Sequence, residues 1–465
     1  MKINIASNEV VDFIGIGGIG MSGLAQIMNN MGFTIQGSDA NRNKNTDRLT
    51  KIGIKVYFGH RENNLDKTTM IVISSAIKKN NKELIAAKHK KLPIFKKCEM
   101  LANIVALKKN IVVTGSHGKT TTTSLVANIL VEAGLDPTVI NGGVINSLKN
   151  NAQLGKGEWA VIESDESDGS FLKLPITYSI VTNLDKEHLD FYGSFEKLKK
   201  SFCTFIDKTP TFGKSLICID NNNLKSLLTK CKTRNFLTYG FDKKSNYQIT
   251  NVKKKINYSV FDLKINVAGS RVYKVKNIQV NLLGNHNIAN TAASVAVALN
   301  LGVKLKTIKK VLKKFSGIQR RFTKVFSIGQ RDFYDDYAHH PTEIKAVMDG
   351  ARQVYGKRKI ISVFQPHRYS RVNFLMKEFA LSFKSSDIVL LCPVYAAGEK
   401  NDYNFNQDYF SQLIAKKSKT QVVNIKNKNE LKIFINKNLF DNEMVICMGA
   451  GSISNWIREI GDDLK

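Results

Sequence analysis

Asn110-Ile-Val-Val-Thr-Gly115-Ser-His-Gly118-Lys119-Thr120-Thr121-Thr-Thr123 is a short apolar run that breaks at glycine and resumes as helix-compatible sequence to about Ala133. An unalternating β-branched run of this length reads as a strand buried on both faces, which implies a parallel sheet. The turn resembles a phosphate loop but departs from G-x-x-x-x-G-K-[ST], because the residue five before Gly118 is Val113 rather than glycine. The physics survives the shortening. Consecutive backbone N–H groups and the helix dipole hold phosphates, Lys119 neutralises them, and Thr120 offers a hydroxyl to Mg²⁺. A lysine-capped turn with threonines at a helix start is the bland alternative.

Further along, Trp159–Glu163 and Tyr178–Thr182 read as strands, and each runs into polar sequence. Glu163, Asp165, Glu166 and Asp168 place four carboxylates in six residues. At the carboxyl end of a parallel strand such groups suit Mg²⁺, which prefers hard oxygen ligands; an acidic surface turn would look the same. Asn183, Asp185, Glu187, His188 and Asp190 follow the next strand and suggest a second cation site or an acid–base group. Residues 256–283 change to strict alternation, with Phe261, Leu263 and Ile265 against Asp262, Lys264 and Asn266. An antiparallel annex is expected there.

On the N-terminal side, Gly15-Ile-Gly17-Gly18-Ile19-Gly20 lies between a strand and a helix, with Asp39 nineteen residues beyond Gly20. Glycines there let backbone N–H groups approach a diphosphate. Read alone, the motif suggests NAD with Asp39 on a ribose, but a UDP-sugar uses the same physics. Two phosphate turns on separate α/β units argue against a simple dehydrogenase and for activation of a substrate at the expense of ATP. On the C-terminal side, Ser316-Gly317-Ile318 makes a plausible hinge. Beyond it come Arg320-Arg321, Asp335-Asp336-Tyr337-Ala-His339-His340 and His367-Arg368-Tyr-Ser-Arg371, where arginines can grip carboxylate or phosphate in a planar fork. His339-His340 lacks the i, i+4 spacing of a helical metal pair.

The chain has 465 residues, room for about three domains. Its 43% apolar and 23% charged composition excludes wholesale disorder. Net charge is +31, which tempts a nucleic-acid reading. Lysines decorating solvated faces account for it better: Ile308, Val311, Leu312 and Phe315 form an apolar stripe, and five lysines fill most of the remaining arc. Six scattered cysteines, none in C-x-x-C, suggest reduced structural thiols in a cytosol. No leader and no membrane span are recognisable, so a cytoplasmic location without membrane insertion is expected.

Taken in order, GIGGIGMSGLA, GSHGKTTTT, ESDESDGSF, TNLDKEHLD, GNHNIAN, GIQRRF, DDYAHHPTE and FQPHRYSR make the chain similar to the Mur ligase family over nearly its whole length. The resemblance implies an α/β architecture of three domains. These are a Rossmann-like UDP-binding domain over 1–105, a central ATP-binding domain with its annex over 106–317, and a Rossmann-like closing domain over 318–465. It also replaces NAD by a UDP-sugar, held by Gly15, Gly17, Gly18, Ile19, Gly20, Ser38, Asp39 and Ser75. ATP would lie on Gly115, Ser116, His117, Gly118, Lys119, Thr120 and Thr121, with Asn287 and Asn290 at adenine and Arg321 and Asp336 reaching from across the hinge. Thr120 and Glu163 would hold one Mg²⁺ and His188 help hold a second; Lys119, Glu163 and His188 are the implied catalytic set. Tyr337, His339, Arg368 and Arg371 would meet the amino acid and product carboxylates.

The resemblance therefore implies a cytoplasmic ligase of peptidoglycan precursor synthesis with small-molecule substrates and no specific nucleic acid. Members that carry a carbamylated lysine have it about fifteen residues after the histidine. Here that position is Cys203, as in the alanine-adding branch. The rivals are a recycling ligase that attaches a tripeptide, a nicotinamide dehydrogenase, and a basic nucleic-acid protein.

Overall fold

The computed structural model describes residues 9–255 and 258–464. Three sheets follow one another along the chain. The first contains β1 (Val10–Ile14), β2 (Thr34–Asp39), β3 (Lys55–Phe58), β4 (Met70–Ile73) and β5 (Ile94–Lys96) in the order 3-2-1-4-5. All its pairings are parallel. Strand order reverses beside β1, so the turn after β1 and the residues after β4 flank the crevice where such sheets take ligands.

The second sheet contains β6 (Lys109–Thr114), β7 (Thr138–Ile145), β8 (Asn150–Gln153), β9 (Trp159–Glu163), β10 (Tyr178–Val181), β11 (Lys214–Cys218), β12 (Phe236–Gly240), β13 (Tyr247–Lys254), β14 (Ser259–Ile265) and β15 (Tyr273–Val280). Its order is 15-14-13-12-11-10-6-9-7-8. Here β6 lies between β10 and β9, parallel to both. Ile111, Val112 and Val113 of β6 are wholly buried, as a strand covered on both faces requires. The links β13–β14 and β14–β15 are far shorter than the dozen or so residues a parallel crossover needs. Links this short suit antiparallel neighbours, and the annex extends the main sheet through the parallel β12–β13 pair.

One expectation in the annex fails. Asp262, assigned to the outer face by alternation, is buried. It accepts the Asn277 N–H at 2.8 Å and the Asn251 amide at 2.7 Å. Two donors compensate the carboxylate's lost hydration, and the pattern alone carries no sign of them. By contrast, the helix Leu305–Lys314 behaves as its pattern demands: Ile308, Val311 and Leu312 are buried while Lys306, Lys310, Lys313 and Lys314 are exposed.

The third sheet contains β16 (Thr323–Ile328), β17 (Arg331–Asp336), β18 (Lys359–Phe364), β19 (Ile388–Leu391), β20 (Gln421–Asn424) and β21 (Glu443–Met448) in the order 16-17-21-18-19-20. Only the β16–β17 pair is antiparallel. Its two faces carry separate apolar layers, one around Phe364, Phe379 and Phe383, the other around Phe333, Ile361 and Ile457. Truncating one such phenylalanine to alanine would cost about 3–5 kcal/mol.

The chain forms two compact units. The first comprises residues up to Val252 with Phe261–Val280 and Ala289–Ser316, and so contains the first sheet and most of the second. The second comprises everything from Gly317 together with Lys253–Val260 and Asn281–Ile288. Within the second unit the annex tip is tied down: Lys254 Nζ donates to Gln353 Oε1 at 2.6 Å. Within the first unit the β7–β8 hairpin lies against the helix Ile19–Asn30. Arg48 donates to Asn151 Oδ1 at 2.7 Å, and the Asn151 amide donates to the Ile19 carbonyl at 2.9 Å. A Cβ on Gly23 would come within 2.8 Å of that same amide.

Candidate active site

The phosphate turn of the second sheet is shaped by its own glycines and held by the next strand. Gly115 and Gly118 adopt φ of +129° and +83°, the region that disfavours side chains. A Cβ at 115 would strike Thr182 Oγ1 at 2.2 Å, and one at 118 would meet Asn290 Oδ1 at 2.7 Å. The end of β10 clamps the loop. Thr182 Oγ1 and the Asn183 amide donate to the His117 carbonyl at 2.6 and 3.0 Å, and the His117 N–H donates to Asn183 Oδ1 at 2.7 Å. The Asp185 N–H donates to Ser116 Oγ, and Asp185 Oδ2 lies 3.0 Å from His117 Nε2. Asn183 and Asp185, first read as cation or acid–base candidates, therefore brace the turn.

Lys119 opens the helix Lys119–Glu132. Its ammonium donates to the Gly115 carbonyl at 2.6 Å and to Glu166 Oε2 at 2.9 Å. Burial opposes the charge, but the carboxylates of Glu166, Asp165 and Glu187 outweigh it and hold the lysine protonated. Glu166 is itself buried, and desolvation raises its carboxyl to about 7 despite Lys119. Its other oxygen, Oε1, makes no hydrogen bond and lies 3.8 Å from His188 Nε2. Thr120 Oγ1 donates to Glu163 Oε1 at 3.0 Å, and Glu163 Oε2 accepts the Gly142 N–H at 2.6 Å. Thr120, Glu163, Lys119 and His188 thus come together at the carboxyl ends of three adjacent strands. Thr121 is buried in the first turn of the same helix. Glu166 was part of the acidic run but was not singled out; its partner lies 47 residues away, beyond any local signal. Asn290 packs its amide against Gly118, while Asn287, one helical turn earlier, donates to the Leu283 carbonyl.

At the first sheet, the Gly15 and Ile16 N–H groups both donate to the Ser38 carbonyl, and the Gly17 N–H donates to Asp39 Oδ2 at 2.8 Å. The helix begins at Ile19, so Gly18 and Gly20 lie at its N-terminus. The Ser38 hydroxyl is fully buried, turned onto Glu83 and His60 Nδ1, while its backbone carbonyl serves the turn. Ser75 is exposed just past β4.

In the second unit a further set gathers where β17, β18 and β19 end. Arg320 and Arg321 lie over the Tyr337 ring at 4.7 and 5.5 Å, and the Tyr337 carbonyl is 2.9 Å from His339 Nδ1. Arg371 reaches to within 3.3 Å of His367, which stacks on Tyr395. Burial, with His339 and the two arginines, lowers His367 to about 3 and keeps it neutral. Arg368 is exposed at a φ of +68°. Asp336 is buried, and both its oxygens accept backbone N–H groups, from Phe322 and Ala338, at 2.7 Å. It fixes the turn that presents Arg321. Sequence reasoning left His367 and Tyr395 without a role, although His367 stood inside a quoted motif.

Three family models cover the chain in succession: "Mur ligase family, catalytic domain" over residues 10–109, "Mur ligase middle domain" over 113–298, and "Mur ligase, glutamate ligase domain" over 320–451. A UDP-N-acetylmuramate–L-alanine ligase of Pelagibacter ubique is 54% identical, with 99% of each chain covered. The ligase of the same name from Parvibaculum lavamentivorans is 42% identical over 98% of this chain and 92% of its own. Among solved structures, a UDP-N-acetylmuramate–alanine ligase from Thermotoga maritima superposes with a TM-score of 0.82 at 27% identity, covering 98% of both chains. A murein peptide ligase from Psychrobacter arcticus shares the fold, with a TM-score of 0.72 at 22% identity over 98% of both chains. With matches of this length across all three sheets, the chain belongs to the Mur ligase family.

Proposed function

We propose that the chain joins L-alanine to the lactyl carboxylate of UDP-N-acetylmuramate, converting ATP to ADP and phosphate, in the making of peptidoglycan precursors. The observation that carries this reading is the full-length 54% identity to a ligase of that specificity. The gathering of Lys119, Thr120 and Glu163 beneath one glycine turn supports it chemically. Among the described residues no helix is long and apolar enough to cross a membrane, which fits small-molecule substrates met in solution.

Hydroxide is a poor leaving group, so a carboxylate and an amine do not condense unaided. A lactyl oxygen attacks the γ-phosphorus, the bond to the β-phosphate oxygen breaks, and ADP departs. The amine of alanine, as free base, then attacks the acyl phosphate carbon, and the tetrahedral adduct collapses with loss of phosphate. Lys119 neutralises the moving phosphoryl group, where positioning and charge supply most of the rate. Lys119 pairs with Glu166 at 2.9 Å, so nucleotide phosphates would meet an ammonium already held in place. Glu166 is a positioning residue in this scheme.

The donor set fits Mg²⁺: Thr120 and Glu163 present hard oxygens 3.0 Å apart, and Glu166 Oε1 is a buried oxygen that lacks a donor. Thr120 and Glu163 would hold one ion, and His188 would help hold a second. Bound there, Mg²⁺ would offset phosphate charge. Gly15, Gly17, Gly18 and Gly20 with Asp39 would take the UDP moiety. Within the second unit, Arg321, His339, Arg368 and Arg371 would bind anionic groups of the substrates.

The deciding experiment measures phosphate release with UDP-N-acetylmuramate, ATP and Mg²⁺ while the amine is varied. Release with L-alanine and little with the tripeptide L-alanyl-γ-D-glutamyl-diaminopimelate is expected. Preference for the tripeptide would make the chain a recycling ligase, and no turnover with any amine would overturn the assignment.

A further inference from the structure

We propose that Cys203 and Cys231 are a modification site, closing a reversible intramolecular disulfide when a peroxide supplies the oxidising power. Cys203 lies on the helix Phe195–Asp207, and Cys231 lies four residues past the helix Asn222–Leu227. Both thiols are free, and their sulfurs stand 2.8 Å apart. Non-bonded carbon atoms rest about 3.5–4.0 Å apart, and sulfur is larger, so this is no ordinary packing contact. A shared metal is also a poor fit. Two thiolates on one tetrahedral zinc, with Zn–S bonds near 2.3 Å, would lie about 3.8 Å from each other. The third group at hand, Asp207, stands 3.9 Å from Cys203 Sγ through Oδ2, while its Oδ1 already accepts the Thr233 N–H. A disulfide needs about 2.05 Å, the value the pair most nearly approaches.

The environment sets the order of events. Cys231 is buried and Cys203 only half-buried, so peroxide meets Cys203 first. The Cys203 thiolate attacks one peroxide oxygen, the O–O bond breaks, and a sulfenic acid forms with loss of hydroxide. The Cys231 thiolate then attacks that sulfur and expels its oxygen as hydroxide; protons from the two thiols make both hydroxides water. Two thiols and one peroxide give one disulfide and two waters, with sulfur oxidised and oxygen reduced. Burial raises both thiols above the ordinary range, and the Asp207 carboxylate adds to it, so the reaction is slow at neutral pH and accelerates as pH rises. The bond clasps the helix that follows the His188 loop to the segment after the next strand, across 28 residues of chain.

The full chain is treated with millimolar hydrogen peroxide at pH 7 and pH 8.5, quenched with iodoacetamide and digested without reductant. The expected product is one linked peptide joining Cys203 to Cys231, two hydrogens lighter than its parts, several-fold more abundant at pH 8.5 and abolished by dithiothreitol. Cys231→Ser, which keeps size and polarity, should yield no linked peptide and should leave Cys203 trapped by dimedone as its sulfenic adduct. Recovery of both cysteines separately alkylated after peroxide at pH 8.5, or linkage of either one to a different cysteine, would overturn the proposal. So would a Cys231→Ser protein in which Cys203 never reacts with dimedone.

Discussion

The two glycine turns share a plan, strand into turn into helix, yet they are finished by opposite means. The turn after β1 is closed by its own neighbourhood: the Ser38 carbonyl takes two of its N–H groups and Asp39 a third. The turn after β6 is braced from a different strand through Thr182, Asn183 and Asp185, and it carries a lysine at the helix start. A carboxylate on the first turn and an ammonium on the second suit different tasks. On the function proposed above, the first would hold a spectator diphosphate, and the second would neutralise charge that shifts during reaction. Both turns also stand near a buried carboxyl raised to about 7, Asp12 in β1 and Glu166 beside Lys119. Glu166 faces a cation; Asp12 faces the neutral Gln36 amide at 3.0 Å.

The sharpest way to break this contrast is Lys119→Ala. It should lower kcat by about 10³-fold while UDP-N-acetylmuramate binding, followed by calorimetry, stays within a few-fold. Equal loss of sugar-nucleotide binding would erase the distinction between the turns. Next is a matched pair of glycine substitutions. Gly118→Ala adds a methyl at positive φ against Asn290 and should cost about 10²-fold in kcat/KM. Gly20→Ala meets only the flexible end of Lys97, at 3.2 Å, and should stay within a few-fold.

Asp39→Ala should raise the KM for the sugar nucleotide roughly tenfold and leave kcat nearly unchanged, the mark of ground-state binding. Matching losses in both parameters would place Asp39 in the chemistry instead.

A last effect, read in melting temperature rather than in turnover, separates the two buried acids. Burial and the nearby Glu83 raise Asp12 from 3.8 to about 7 although Gln36 opposes them, so the folded state holds a proton that the unfolded state releases. Its contribution to stability is therefore fullest below pH 4 and is lost as pH climbs to 7. The span is about 4 kcal/mol. Asp12→Asn should melt higher than the parent at pH 8 and close to it at pH 4.5. A constant difference across that range would show that Asp12 titrates normally.

Much of this was legible locally. Apolar runs, glycines and helical periodicity are short-range signals, and they located β6, β9, β10 and the helix after the second turn to within a residue or two. Strand order is not short-range. That β6 lies between β9 and β10 brings Lys119, Glu166 and His188 together, and no spacing along the chain announces it. The burial of polar groups was missed for a related reason. Ser38, Asp262 and Asp336 are polar in type, whereas distant donors or acceptors make their burial affordable. Cys203 and Cys231 looked scattered for the same reason.

The Arg48–Asn151–Ile19 linkage bears on how the protein can be divided. A fragment ending near residue 105 would keep Arg48 and the small-residue flank of the first helix but lose the asparagine that both engage. That flank would then meet solvent beside the turn after β1, its guanidinium left with only the longer contacts to Ser22 and Asn45. Fragments expressed for ligand screening should accordingly run through the β8 hairpin and its sheet, even when only the turn after β1 is of interest.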